Sequence, residues 1–152
     1  MMRFFNFPAF FLLTVTALLS ACGEPEDTRP GQPVKQRQQA FKEIIKSFEP
    51  LGVMLRKDGY QAEKFERLTN ELIAKRDLPW SHFGPDTNYP PTKSTPEVWA
   101  QPEQFEKEKQ AFIVATDSLL AAVKTQDKAS ISKAYDAVHD SCKSCHKTFK
   151  AR

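Results

Sequence analysis

Histidine and cysteine are scarce in this chain, with three of each among 152 residues. The single C-x-x-C pair has no partner pair: His82 and His139 form no H-x-x-H, so a four-ligand zinc site would lack half of its ligands. Strand-like alternation is missing and no segment repeats, which leaves helices as the building material. Excess charge of one sign is missing too. The 22 basic and 19 acidic side chains are interleaved along the chain, so there is no basic footprint for nucleic acid. The one long apolar run, Phe4 to Leu18, is broken by Asn6 and Pro8 and falls short of the roughly 20 residues needed to span a bilayer.

What that run does carry is an address. Met1-Met2-Arg3, the apolar stretch and Leu19-Ser20-Ala21-Cys22 read as a signal peptide over residues 1–21. Leu-Ser-Ala-Cys resembles the lipobox of bacterial lipoproteins, which implies a lipidated Cys22 at the mature N-terminus. Ordinary cleavage would instead leave Cys22 as a stray thiol in an oxidising compartment. Lipid would hold the protein at a membrane surface without a spanning helix, on the periplasmic side. Gly23 stands where inner-membrane retention is associated with aspartate, so the same resemblance points to the outer membrane. Residues 22–33 are polar and rich in Gly, Pro and Glu, as expected of a flexible tether. Residues 34–152 then form one domain. Arg3 is the only charge in residues 1–21, so removing them lowers the formal balance from +3 to +2.

The chemistry is concentrated in Cys142-Lys143-Ser144-Cys145-His146. C-x-x-C-H is the attachment signature of c-type haem. On a helix, positions i, i+3 and i+4 share a face. Two thiols there can add to the haem vinyl groups as thioethers while the imidazole reaches the iron. A redox disulfide is the other use of such a pair.

Apolar periodicity predicts four helices around this motif. The first runs from Val34 through Phe41, Ile44, Ile45 and Phe48, continues past a kink at Pro50 with Leu51, Val53, Met54 and Leu55, and ends at Asp58-Gly59. The second covers Tyr60–Lys75, the third Pro102–Thr125 and the fourth Lys128–Phe149. Between the second and third, Arg76 to Pro102 holds six of eleven prolines together with Trp80, Phe83, Tyr89 and Trp99. An aromatic loop of that length is expected to wrap over something apolar. The expected fold is all-α, an antiparallel four-helix bundle with covalently attached haem c lying among the helices near the end of the fourth.

This order resembles the cytochrome c prime family, itself a standard example of that architecture. Arg37-Gln38-x-x-Phe41 resembles its first-helix motif, Leu78-Pro79-Trp80 with Phe83 its loop after the second helix, and Thr92-Lys93 with Pro96-Glu97-Val98-Trp99 its entry to the third. The resemblance implies one haem c, bound through Cys142 and Cys145 with His146 on the iron. It implies that Phe41 faces the iron on the other side, where low-spin relatives carry a ligating methionine. Phenylalanine has no donor atom. Met54 lies 13 residues further along the chain, about 20 Å on a continuous helix. By the same resemblance Arg37 pairs with a haem propionate, assisted by Gln38, and Lys150 edges the proximal face. Trp80 and Phe83 are expected to pack near the haem edge, with ordinary core packing as the alternative. His82 is the only histidine placed to become a sixth ligand, since His139 shares a helix with His146.

The functional expectation is a haem protein with a five-coordinate iron that binds nitric oxide or carbon monoxide, transfers single electrons, or both; a low-spin electron carrier with an unforeseen sixth ligand is the alternative. No distal histidine and arginine are placed to split a peroxide bond, so an enzyme is not expected. The expected partners are haem, a diatomic gas, an unnamed redox protein, the membrane through the lipid, and a second copy of the chain, since relatives often pair through their first two helices.

Overall fold

The computed structural model describes residues 25–57 and 59–151. The stretch expected to be a signal peptide, Cys22 and Asp58 lie outside the described residues. Four long helices, α1 (Pro33–Arg56), α2 (Ala62–Lys75), α4 (Pro102–Thr125) and α5 (Lys128–Phe149), form an antiparallel bundle, with a short α3 (Glu97–Ala100) in the long connection. The sequence predicted four helices; the fifth is one turn, and a 3₁₀ turn at Trp80–His82 adds a second piece of order to the stretch expected to be irregular. Among the described residues no helix is long and apolar enough to cross a membrane.

Pro50 lies inside α1 without ending it. Proline removes one backbone donor and crowds the preceding turn. Here Leu51 and Met54 bury on the far side of it, at 0% and 7% exposure, and their burial offsets that loss. Val53 departs from the expected stripe and is exposed. The principal packing pairs are α4 with α5, α1 with α2, and α2 with α4. Their apolar faces meet in one core built on Leu51, Phe65, Leu72, Leu119, Ile131 and Val138. Phe48 of α1 stacks on Tyr135 of α5 at 4.5 Å between centroids. Gly52 lets the Tyr135 ring approach the α1 backbone, where a Cβ would come within 2.7 Å of Tyr135 Cζ.

Polar groups fix the ends. Arg76, capping α2, donates from Nη1 to Thr116 Oγ1 (2.8 Å) and Asp117 Oδ1 (2.6 Å) on α4. Asp127 caps α5 by accepting from Ser130 N at 3.0 Å, the usual way a first-turn N–H is satisfied. At α1 the N-cap position, Gln32, is left-handed and makes no side-chain cap. Asp27 does that work from six residues before the helix starts, accepting from Val34 N (2.9 Å), Lys35 N (3.2 Å) and Tyr89 Oη (2.8 Å).

Asp27 is 2% exposed. Arg29 adds a bond to Asp86 O (2.8 Å) and stacks 3.8 Å over the Tyr89 ring. The stretch 22–33, read as a loose tether, is therefore tied to the long loop from Asp27 onward. Burial of the Asp27 carboxyl opposes its ionisation, and hydrogen bonds from Tyr89 and from the backbone N–H of Lys35, Arg29 and Val34 more than reverse that, leaving its pKa below the ordinary value.

Candidate functional site

The last turns of α5 face a cavity of about 280 Å³ between α1, the loop and α4. Cys142, Cys145 and His146 all line it, as i, i+3, i+4 spacing requires. Phe41 and Ile45 enter from α1, Trp80 and Phe83 from the loop, Phe105 and Phe112 from α4, and Phe149 closes the end of α5. The aromatic rings are locked edge to face: Trp80 lies 5.5 Å from Phe41 and 6.2 Å from Phe105 and Phe112, and Phe105 lies 5.2 Å from Phe149. The Trp80 Nε1–H, buried among these rings, has no acceptor among the described residues.

Electrostatics around the motif follow from burial. The Cys142 thiol is pushed up by burial, and Cys145 is pushed up to about 11 by burial and by the negative charges of Glu108 and Cys142. Among the described residues neither cysteine is in a disulfide. The pKa of His146 is lowered by burial and by the positive charge of Lys150, which favours the neutral imidazole that a metal requires. Among the described residues no group of three or more His, Cys, Asp or Glu side chains is arranged to hold a bare metal ion. Two thiols and one imidazole on the same wall of a cavity rich in aromatic rings fit a flat apolar macrocycle attached through sulfur.

The other residues singled out from sequence are distributed as follows. Lys150 lines the cavity beside His146, and its backbone is bridged antiparallel to Ser94. Gln38 lines it too, with Nε2 donating to Pro91 O at 3.0 Å. His82 does not line it; its carbonyl accepts from Arg37 Nη1 at 3.0 Å. Arg37, expected at a propionate, touches the cavity but is 2% exposed and holds loop acceptors instead. Sequence reasoning missed Lys42, Lys93, Ser94 and Glu108 in the wall; Phe105 and Phe112 reach it too, the latter while also packed in the bundle core. The seven-residue spacing of those two phenylalanines, with Glu108 between them, is the sequence signal that separates this face of α4 from the purely apolar one.

A profile of the family described as Cytochrome C′ matches residues 32–150. The chain belongs to the cytochrome c′ family. A curated cytochrome c′ of Rubrivivax gelatinosus is 32% identical over 126 residues, covering 82% of this chain and 98% of the relative. Among solved structures, the nitric oxide complex of a point variant of cytochrome c prime from Alcaligenes xylosoxidans superposes with a TM-score of 0.77 at 28% identity, covering 84% of this chain and 99% of the other. A carbon monoxide-bound variant of the same protein gives a TM-score of 0.76 at 28% identity, covering 84% and 100%. As a cytochrome c′, this chain takes haem c as its cofactor, and Cys142 and Cys145 supply the two thiols near its C-terminus.

Proposed function

We propose that this cytochrome c′ is a lipid-anchored periplasmic protein that binds nitric oxide or carbon monoxide on the Phe41 side of its haem, and that its iron cycles single electrons with a redox partner. Haem c, when bound, supplies an iron able to take one diatomic ligand or one electron. Cys142 and Cys145 would hold the macrocycle through their two sulfurs. His146, kept neutral by burial and by Lys150, presents a ring nitrogen to the metal. Phe41, in the part of the wall that α1 contributes, would cover the iron from the side away from His146 and exclude water.

The observation that carries this reading is the composition of the wall. No methionine lines the cavity among the described residues, and His146 is its only imidazole. Met54, the candidate sulfur ligand, is 7% exposed and packed in the bundle core. The carbon monoxide and nitric oxide complexes of the Alcaligenes relative lend support from the same fold. Export and anchoring rest on residues 1–22, with Gly23 favouring the outer membrane.

Absorption and resonance Raman spectra of the haem-loaded protein, ferric and ferrous, with and without nitric oxide, test the site. A five-coordinate high-spin ferrous spectrum that changes on adding the gas is expected. A six-coordinate low-spin spectrum in both states would overturn the reading and leave electron transfer alone. For the anchor, metabolic labelling with a radioactive fatty acid is expected to mark the wild type and not Cys22→Ala; label in both, or in neither, refutes lipidation at Cys22.

A further inference from the structure

The loop from His82 to Thr92 has no regular element of its own beyond the end of the 3₁₀ turn, yet it delivers Phe83 to the haem cavity. Two neighbouring side chains on α1 hold it, Gln38 by its single bond to Pro91 O and Arg37 by three. The Arg37 guanidinium, 2% exposed, donates from Nη1 to His82 O at 3.0 Å and from Nη2 to Thr87 O at 3.0 Å and Thr92 Oγ1 at 2.5 Å. Its Cζ also lies 4.8 Å over the Phe83 ring, and Phe83 meets Phe41 edge to face at 6.3 Å.

Pairing with a carboxylate through two parallel bonds needs Nη2, which belongs to both bidentate edges of a guanidinium. Both hydrogens of Nη2 are already donated to the loop. The planar fork, by contrast, suits three acceptors spread from His82 to Thr92, a task a lysine ammonium on its single flexible stem cannot copy.

We infer that Arg37 is a positioning residue: it latches the 82–92 loop to α1 and, through Phe83, keeps Phe41 closed, so that it governs how fast a diatomic ligand reaches the haem. The part concerning ligand entry rests on the reading of Phe41 as a lid. The latch itself does not.

The test uses the haem-loaded protein and two readouts, amide hydrogen exchange across 82–92 and the rate of carbon monoxide association with the ferrous form. Arg37→Lys keeps the charge and loses the fork; exchange in the loop is expected to rise about tenfold or more, with association faster by a similar factor. Thr92→Val removes one acceptor from the loop side, at a residue outside the cavity wall, and is expected to move both readouts the same way by less. Thr92→Ser, which keeps the hydroxyl, should restore them.

A propionate role for Arg37 predicts the converse: Arg37→Lys near wild type, Arg37→Gln shifting the reduction potential, and Thr92→Val silent. That pattern overturns the latch. Faster exchange with unchanged association overturns its control of entry. If Arg37→Lys fails to fold, Thr92→Val decides alone, and unaltered exchange in it refutes the inference. A six-coordinate wild-type spectrum would refute the lid while leaving loop exchange to decide the latch.

Discussion

Replacing Phe41 by alanine separates a lid from a core residue. If Phe41 is a lid, its ring must leave its edge contacts with Trp80 at 5.5 Å and Phe83 at 6.3 Å to let a ligand pass. Aromatic pairs of this kind are worth about 0.5–1.5 kcal/mol each, so opening costs ~1–3 kcal/mol. That sum corresponds to a slowing of roughly 5- to 150-fold. Phe41→Ala removes the step, and carbon monoxide association with the ferrous protein, followed by stopped flow, should speed up by a factor in that range. The same change lowers stability by about 2–4 kcal/mol, below the ~3–5 of a fully buried phenylalanine, because Phe41 is only half-buried. Urea unfolding of the haem-loaded protein measures that loss. An unchanged association rate alongside the expected loss of stability would refute the lid and return Phe41 to ordinary packing.

Gly52→Ala should destabilise the fold by about 1–3 kcal/mol despite alanine's higher helix propensity, since the new Cβ would overlap the Tyr135 hydroxyl, whose ring is held by Phe48; urea unfolding no worse than wild type contradicts this. Asp27, with its pKa depressed in the fold, contributes stability that is complete above the ordinary aspartate pKa of about 3.9 and is lost as pH falls through the lower folded value. Thermal melts of Asp27→Asn and wild type should therefore differ at pH 7 and converge toward pH 3, and a difference independent of pH would show that the charge is not what binds. Removing both thiols, with Cys142→Ala and Cys145→Ala, should leave haem that acidified acetone extracts, whereas wild-type haem stays with the chain; retention in the double variant would disprove attachment at these positions.

The helices were legible because their pattern is local. The third and fourth long helices, Pro102–Thr125 and Lys128–Phe149, coincide with the spans read from periodicity, and the continuation of α1 past Pro50 followed from Leu51 and Met54 keeping the apolar stripe. The second helix begins at Ala62 instead of Tyr60, a shift confined to its frayed start. The cavity wall was partly legible. The motif and the aromatic residues of the loop announced themselves by type, while Lys93 and Ser94 reach the wall only because the chain beside them pairs with Lys150 and Ala151.

What the sequence hid is polar and long-range. Arg37 meets acceptors 45 to 55 positions away, and Asp27 meets Tyr89 across 62. Nothing near Asp27 in the sequence distinguishes it from a solvated charge, and the motif around Arg37 pointed to a propionate and not to the loop. Burial of an ion becomes visible only when its partners arrive.

If Cys22 carries lipid, the pinning of Asp27 also limits how far the bundle can stray from that anchor. Five chain steps separate Cys22 from Asp27, a reach of at most about 17 Å. With lipid on Cys22, the end of the bundle where α1 begins would ride close to the headgroups instead of swinging on a twelve-residue leash, and a docking protein would have to approach from the sides or from the outer end.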